Sequence, residues 1–278
     1  MAQITVLELQ KKKTGNQKIS MVTAYDYTMA RLVDQAGVDM VLVGDSLGMV
    51  IQGDDNTLSV TIEDMVYHSR CVAKGLSNAH LTVDMPFMTY QVSPEIALQN
   101  AGRLIQEGKA QSVKLEGGEQ VAPTIKKIVQ AGIPVVGHIG LTPQSVHVLG
   151  GFKVQGKAQE AQEKLLLDAL ALEDAGASLV VLELVPKELA KRISERLHIP
   201  TIGIGAGVHC DGQVLVCNDL LGLDLRFKPR FLKRYATLEE NVLESVRSYV
   251  RDVQDGSFPT DKHSFTSERK SSKLRRLY

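Results

Sequence analysis

One pattern recurs five times along this chain: a glycine, a short apolar segment, and a titratable residue six to nine positions after the glycine. Glycine is favoured just past a helix C-terminus because it adopts the left-handed conformation without steric cost. A short continuous apolar segment is typical of a strand covered on both faces, as in a parallel sheet. The five units are Gly37 to Asp45, Gly75 to Asp84, Gly108 to Lys114 and Glu116, Gly132 to His138, and Gly176 to Glu183. The pattern predicts repeated strand–helix units with polar side chains gathered at the carboxyl ends of the strands.

The number of these units and the chain length favour a closed barrel. Strands that alternate with helices at this frequency form parallel sheets, and 278 residues is close to the roughly 250 of a typical eightfold barrel. We predict an α/β fold, a single-domain (β/α)8 TIM barrel over residues 1–254, with an N-terminal capping helix at 5–13 and a C-terminal helix at 238–253. A doubly wound open sheet is the alternative. Residues 255–278 are poor in apolar side chains and basic at the end, so we predict a disordered basic tail.

Charge and cysteine content exclude several classes of partner. The chain has 32 basic and 32 acidic residues, so its net charge is zero and a nucleic-acid or membrane-surface role is not expected. It has no signal-peptide-like start and no apolar run long enough to span a bilayer. Its three cysteines lack CxxC spacing, which indicates a reducing compartment. We expect a cytoplasmic protein that acts on small molecules.

Three carboxylates at successive strand ends are the candidate metal ligands. Asp45, Asp84 and Glu116 would meet at the mouth of a barrel, where ligands bind. Hard divalent ions such as Mg²⁺ prefer oxygen ligands and keep several waters that a substrate can displace. Each carboxylate could instead form a salt bridge or cap the next helix. For three on successive strands, a metal site is the better interpretation.

Lys114, His138 and Ser46 are candidate substrate-binding residues. Lys114 lies two positions from Glu116, so both side chains should point to the same face, and a lysine beside a metal could hold a substrate carboxylate. The alternative is a structural Lys–acid pair. His138 could donate a hydrogen bond or titrate near neutral pH, or simply be a satisfied inner histidine. Ser46 could donate to a carboxylate or cap its loop.

Glu183 is the candidate general base. It stands between Leu182 and Leu184, and a carboxylate in such surroundings is partly desolvated, which favours proton acceptance. A structural partner on a neighbouring strand is the alternative. After Glu116, the pair Gly117 and Gly118 would let the backbone approach a ligand closely.

Seven stretches together resemble the ketopantoate hydroxymethyltransferase (3-methyl-2-oxobutanoate hydroxymethyltransferase) family. They are MVTAYDY at 21–27, VGDSLGMVIQG at 43–53, DMPFMTY at 84–90, VKLEGG at 113–118, GHIGLTPQ at 137–144, LELVP at 182–186, and GIGAG with DGQVLV at 203–216. Each is weak alone, but together they run in family order over about residues 2–254. The basic tail lies outside the match.

The resemblance implies a specific reaction. The one-carbon unit of 5,10-methylenetetrahydrofolate would pass to 3-methyl-2-oxobutanoate and give ketopantoate (2-dehydropantoate), in pantothenate and coenzyme A biosynthesis. It also implies a homodecamer of two pentamers. Its matching positions make Asp45, Asp84 and Glu116 resemble Mg²⁺ ligands, and Asp45, Ser46, Asp84 and Lys114 resemble the oxo-acid site. Glu183 resembles the proton acceptor, with His138 lining the site.

Two alternatives compete with this function. A relative of phosphoenolpyruvate mutase or isocitrate lyase would also be a Mg²⁺-dependent barrel with an enolate, but those lyases use a cysteine in a KKCGH-like loop that the sequence lacks. A catalytically silent oligomeric scaffold is the other. Retention of Asp45, Asp84, Lys114, Glu116 and Glu183 together argues against it.

Overall fold

Eight parallel strands close into a barrel in a computed structural model that describes residues 3–266. Each strand pairs with its sequence neighbours, and β1 pairs with β8. The strands are β1 Ile19–Thr23, β2 Met40–Val43, β3 His80–Asp84, β4 Ser112–Glu116, β5 Val135–Gly140, β6 Leu179–Glu183, β7 Thr201–Ile204 and β8 Gly212–Leu215. The predicted (β/α)8 barrel is confirmed, and the open-sheet alternative is wrong.

Helices cover the outside of the barrel and both ends of the chain. They are α1 Val6–Thr14, α2 Tyr27–Gln35, α3 Ile62–Ala73, α4 Pro94–Gln106, α5 Ala122–Gln130, α6 Val146–Leu149, α7 Gln159–Asp174, α8 Lys187–Arg196, α9 Cys217–Leu221 and α10 Leu238–Gln254. Local sequence explains where several begin: Thr61 caps α3 in a capping box with Asp64, and Ser93 caps α4 ahead of Pro94 at its first position. None of the helices within residues 3–266 has the length and apolarity needed to cross a membrane.

Side chains alternate along each strand between the helix layer and the barrel interior. The interior holds ten buried apolar side chains: Leu9, Ile19, Met21, Met40, Leu42, Val136, Leu179, Val181, Ile202 and Val214. Val136 lies two residues before His138, and Val181 lies two residues before Glu183, so each pair points to the same side of its strand. These strands therefore direct an apolar side chain into the barrel interior and, closer to their carboxyl ends, a titratable one. This register carries the strand-end residues to one mouth of the barrel.

The N-terminal helix closes the opposite end, as predicted. Thr5 caps α1 in a capping box with Glu8, and Leu9 is fully buried against the barrel interior. Two salt bridges fix the helix in place. Lys12 pairs with Asp39, and Lys13 Nζ lies 2.9 Å from Asp211 Oδ2.

The predicted disordered tail differs from the structure over its first part. Residues 255–266 follow α10, and Asp261–His263 form a 3₁₀ turn. The Phe258 ring lies 5.8 Å from the Tyr249 ring and 5.1 Å from the His263 ring. A few aromatic contacts thus hold a segment whose average composition predicts disorder. Residues 267–278 lie outside the described residues.

Candidate active site

A cavity of about 1010 Å³ opens at the carboxyl ends of the strands. Its lining includes every site residue predicted from the sequence: Asp45, Ser46, Asp84, Lys114, Glu116, His138 and Glu183. All seven side chains come from strands β3 to β6 or from the turn after β2, and the barrel register aims them at the carboxyl ends of the strands. The structure therefore brings the predicted residues together in one place, although it does not by itself assign their roles.

Asp45 and Asp84 lie side by side and are almost completely buried, with relative exposures of 4% and 3%. The Asp45 backbone N–H donates to Asp84 Oδ2 at 3.1 Å. Burial raises the pKa of Asp45 well above its usual value, and the charges of Asp84 and Glu116 raise it further. Burial also raises the pKa of Asp84, against the attraction of Lys114. Negative charge on both carboxyls at once is therefore unfavourable here, because the protein only partly compensates it.

Lys114 is the buried cation of this cluster. Its Nζ lies 3.0 Å from Asp84 Oδ1, and the contact is an ion pair without a well-directed hydrogen bond. Burial alone would lower the pKa of Lys114, but the charges of Asp84, Glu116 and Asp45 outweigh it and raise the pKa, so the ammonium stays charged. The Lys–acid pair that we considered as an alternative is thus present. It does not exclude substrate binding, because an ammonium has three donors.

His138 lies between two glutamates. Its Nδ1 lies 3.4 Å from Glu116 Oε1, and its Nε2 lies 3.2 Å from Glu183 Oε2. Burial and Lys114 lower the pKa of His138, but the interactions with Glu116 and Glu183 outweigh them and raise it to about 9. The two glutamates thus favour the protonated imidazole, whereas Lys114 Nζ, 3.2 Å from His138 Nδ1, opposes it.

Glu183 is more accessible than the rest of the cluster. Its side chain is 17% exposed, compared with 3–5% for Asp84, Lys114, Glu116 and His138. Glu183 lines the cavity, where it can contact a bound small molecule, while its Oε2 lies beside His138. The predicted partial desolvation agrees with this burial, and its role as a base stays a prediction.

Ser46 begins the segment that follows β2. Its Oγ lies 2.8 Å from the hydroxyl of the buried Tyr25. Two residues further on, Gly48–Gln52 form a single-turn π-helix. Such turns are rare and occur often at functional sites.

Sequence reasoning missed the residue that links the carboxylates, Gln144. Its side-chain Nε2 donates to Asp45 Oδ2 at 2.8 Å, and its backbone N–H donates to Glu116 Oε2 at 3.0 Å. The buried hydroxyl of Tyr90 donates to Gln144 Oε1 at 2.7 Å. The sequence signals were the position of Gln144 shortly after strand β5 and its place at the end of the family motif GHIGLTPQ at 137–144.

The carboxylate cluster suits a hydrated divalent ion better than a bare one. Within residues 3–266, no three His, Cys, Asp or Glu side chains converge as a ready-made metal cage. Asp45 and Asp84 are adjacent, whereas Glu116 is connected to Asp45 through Gln144. Mg²⁺ is usually bound by one or two carboxylates together with waters and substrate oxygens. The excess of buried carboxylates over Lys114 fits such an ion.

Known structures define the class of fold. Phosphonopyruvate hydrolase in complex with oxalate and Mg²⁺ superposes with a TM-score of 0.61 at 12% identity, covering 94% of this chain and 93% of that one. 2,3-Dimethylmalate lyase, a member of the PEP mutase/isocitrate lyase superfamily, has a TM-score of 0.60 at 14% identity, covering 94% and 91%. At these identities the likeness shows a shared (β/α)8 barrel and does not favour a lyase.

Sequence comparison defines the family. The profile described as ketopantoate hydroxymethyltransferase matches residues 3–261. The 3-methyl-2-oxobutanoate hydroxymethyltransferase of Syntrophomonas wolfei is 54% identical over 278 residues, covering all of both chains. The protein of that name from Syntrophotalea carbinolica is 56% identical over 262 residues, covering 94% of this chain and 98% of its own. This chain belongs to the ketopantoate hydroxymethyltransferase family, as the sequence motifs implied.

Proposed function

We propose that this protein transfers the one-carbon unit of 5,10-methylenetetrahydrofolate to 3-methyl-2-oxobutanoate, giving ketopantoate for pantothenate and coenzyme A biosynthesis. The observation that carries the proposal is the arrangement of the cluster at the barrel mouth. Two adjacent buried carboxylates lie beside a charged lysine, and a more accessible Glu183 faces the same cavity. The names of full-length relatives at 51–56% identity supply the oxo acid and the hydroxymethyl transfer, and the family resemblance implies the folate donor.

The donor set supports Mg²⁺ as the metal cofactor. Asp45 and Asp84 would hold the ion, and Glu116 would accept from one of its waters, so all three predicted ligands take part. When bound, the ion would act as a Lewis acid toward the carboxylate and keto oxygens of the oxo acid and stabilise negative charge there.

The remaining residues of the cluster have distinct tasks toward the oxo acid. Lys114 offsets the charge of the substrate carboxylate, and Ser46 donates a hydrogen bond to it. Glu183 accepts the proton from C3, the acidic carbon next to the ketone. His138, 3.2 Å from Glu183 Oε2, keeps that carboxylate oriented. The deprotonated C3 then forms a bond to the methylene carbon of the folate as one of the two methylene C–N bonds breaks and the released nitrogen takes up a proton. Water supplies the hydroxyl group as the second C–N bond breaks, which gives ketopantoate and tetrahydrofolate.

The size of the cavity supports a second, larger substrate. Cavities of roughly 300–1,000 Å³ hold drug-sized ligands, whereas 3-methyl-2-oxobutanoate has only a handful of non-hydrogen atoms. The remaining volume of this 1010 Å³ cavity is lined in part by Phe152, Phe227 and Phe231. Aromatic walls of this kind suit the flat heterocycle of 5,10-methylenetetrahydrofolate.

We further propose a cytoplasmic homodecamer of two pentamers, as the family resemblance implies. Helix α10 supports self-association because it has no buried residue in the isolated chain. Its apolar side chains Val242, Val246, Tyr249 and Val253 are 47–56% exposed. An exposed apolar face of this kind marks an interaction surface. Sedimentation of the intact protein would measure the size of the assembly.

The direct test is formation of ketopantoate from 3-methyl-2-oxobutanoate and methylenetetrahydrofolate, with and without chelator. We expect turnover that thorough chelation abolishes and Mg²⁺ restores. Full activity in chelated buffer would refute the metal site, and absence of turnover with Mg²⁺ present would leave a silent scaffold.

The Glu183→Gln variant tests the base separately. Glutamine keeps the shape and reach of Glu183 but cannot accept the C3 proton, so the rate should fall by about 10²–10⁴-fold, or roughly 3–5 kcal/mol of barrier. Loss of a deuterium label from C3 of the oxo acid, followed by NMR without folate, reports that proton transfer alone. Glu188→Gln, on the exposed start of α8, is the matched control. Label exchange at the parent rate in Glu183→Gln would show that another group removes the proton.

A further inference from the structure

The side chain of Gln144 forms four hydrogen bonds in the interior of the protein. Residue Gln144 is 7% exposed and lies in the short 3₁₀ turn Pro143–Ser145 after β5. Its Nε2 donates to Asp45 Oδ2 at 2.8 Å and to the Met85 carbonyl at 3.0 Å. Its Oε1 accepts from the Tyr90 hydroxyl at 2.7 Å and from Gln91 Nε2 at 3.1 Å. The amide therefore uses both of its N–H donors and both of its acceptor sites.

These contacts allow one orientation of the amide. The Tyr90 oxygen accepts from the Glu116 backbone N–H at 3.1 Å. Its one hydrogen has two acceptors within reach, Gln144 Oε1 at 2.7 Å and the Glu116 carbonyl at 3.2 Å, and the contact with Gln144 is the shorter. A flipped amide would place Oε1 against the Asp45 carboxylate and the Met85 carbonyl, where only acceptors face it. The Tyr90 hydroxyl thus fixes the amide, and the amide in turn fixes Asp45.

Gln144 also determines which carboxylate oxygens stay available. Its side chain occupies Asp45 Oδ2, and its backbone N–H occupies Glu116 Oε2. Within the described residues, Asp45 Oδ1 has no recorded hydrogen bond, and Glu116 Oε1 faces His138 at 3.4 Å. Asp45 is therefore held by one oxygen and presents the other one to the cavity.

We propose that Gln144 is a positioning residue for the cation site, orienting Asp45 and Glu116 before the ion arrives, with Tyr90 holding the Gln144 amide in place. The proposal rests on the metal site of the proposed function and adds a residue outside its ligands. Groups that orient metal ligands commonly contribute 10–100-fold to metal affinity.

The test is a titration with Mn²⁺ alone, without substrates, followed by electron paramagnetic resonance of the free ion. Gln144→Met keeps the length of the side chain but removes the donor to Asp45, and we expect its Mn²⁺ dissociation constant to rise about 10–100-fold. Tyr90→Phe keeps the ring and loses the hydroxyl, so it should raise the constant in the same direction. Gln213→Met removes an exposed amide that donates to the Gly207 carbonyl, and this control should bind Mn²⁺ like the parent.

Steady-state kinetics separate positioning from a general structural role. For Gln144→Met the apparent constant for Mg²⁺ should rise, and kcat should return toward the parent value at saturating Mg²⁺. Unchanged Mn²⁺ affinity in both variants, when the parent binds Mn²⁺, would overturn the positioning role and leave the metal site intact. A parent protein that binds no Mn²⁺ would overturn both. If Gln144→Met fails to fold, the Tyr90→Phe titration decides the question.

Discussion

At Gly118, the addition of a single methyl group by the substitution Gly118→Ala should greatly lower the stability of the protein. It lies two residues after Glu116, and a Cβ added there would lie 2.0 Å from Asp168 Cγ and Oδ1. The Asp168 side chain, 9% exposed, accepts from the Glu119 backbone N–H at 2.9 Å and pairs with Lys164. Gly118→Ala therefore forces Asp168 out of the place where it anchors the loop after β4.

The loss of stability in Gly118→Ala has two contributions, a broken hydrogen bond and steric overpacking. A hydrogen bond to a charged group is worth about 1.5–3 kcal/mol, and overpacking a filled site costs about 1–3 kcal/mol. Together they predict a destabilisation of roughly 3–6 kcal/mol. For a domain of this size, roughly 2–4 °C per kcal/mol corresponds to a melting temperature lower by roughly 6–24 °C.

A double-mutant cycle tests this reasoning. Asp168→Gly removes the carboxylate and also the Asp168 Cβ, which lies 2.5 Å from the Cβ added at position 118. Alone it should lose the hydrogen bond to Glu119, the pair with Lys164 and about 1 kcal/mol of helix propensity. Adding Gly118→Ala to it should then cost less than about 1 kcal/mol, because no side chain remains to clash. Urea unfolding of the four proteins at one protein concentration gives the coupling. Gly102→Ala, in helix α4, is the control. Nothing lies within 4 Å of its added Cβ, so this substitution should leave the free energy of unfolding unchanged or raise it by up to about 1 kcal/mol. Additive effects of the Gly118 and Asp168 changes would refute the steric argument.

Two further predictions concern the metal and pH. Asp84→Asn removes the charge that a hard cation needs while keeping the size, so the Mg²⁺ concentration for half-maximal rate should rise at least about 10-fold; an unchanged requirement would exclude Asp84 as a ligand. His80 is buried, which lowers its pKa from 6.5 to about 4 even though the Ile4 carbonyl accepts its hydrogen bond. His80 in the unfolded chain is therefore protonated below about pH 6.5, whereas His80 in the folded protein stays neutral down to about pH 4. Stability is lost as the pH falls between these two values, because only the unfolded state takes up the proton. Between pH 7 and pH 5 the free energy of unfolding should drop by about 2 kcal/mol more in the parent than in His80→Asn, and equal drops in urea unfolding would contradict the assignment.

Sequence alone predicted the architecture because each barrel unit is encoded locally. Apolar runs, capping residues such as Thr61 and Ser93, and glycines after helices gave every strand and most helices. Strand β3 has the predicted bounds, His80–Asp84, and so does β4, Ser112–Glu116. The strand-end residues reached one cavity because parallel register alone aligns them.

The features that the sequence did not reveal depend on contacts between distant segments. Gln144 looked like part of a turn, since its partners Asp45 and Tyr90 lie far away along the chain. Gly118 was assigned to close approach of a ligand, but the group that approaches it is the side chain of Asp168. On α7 the buried face contains Ala169 and Leu172 at helical spacing, and a buried Asp168 violates this apolar pattern. Only the folded chain shows the unpaired backbone N–H of Glu119 that this carboxylate satisfies.

The end of the barrel opposite the cavity is closed, which limits how small molecules reach the site. Beneath the carboxylate cluster, the apolar interior and helix α1 leave no passage through the described part of the chain. Under the proposed function, an oxo acid held by the cluster at the floor of the cavity would have to enter before a folate that binds above it. Tetrahydrofolate would then leave ahead of ketopantoate. A barrel with a single open end would thus impose a compulsory order on the proposed two-substrate reaction, and an excess of folate would delay the smaller substrate rather than replace it.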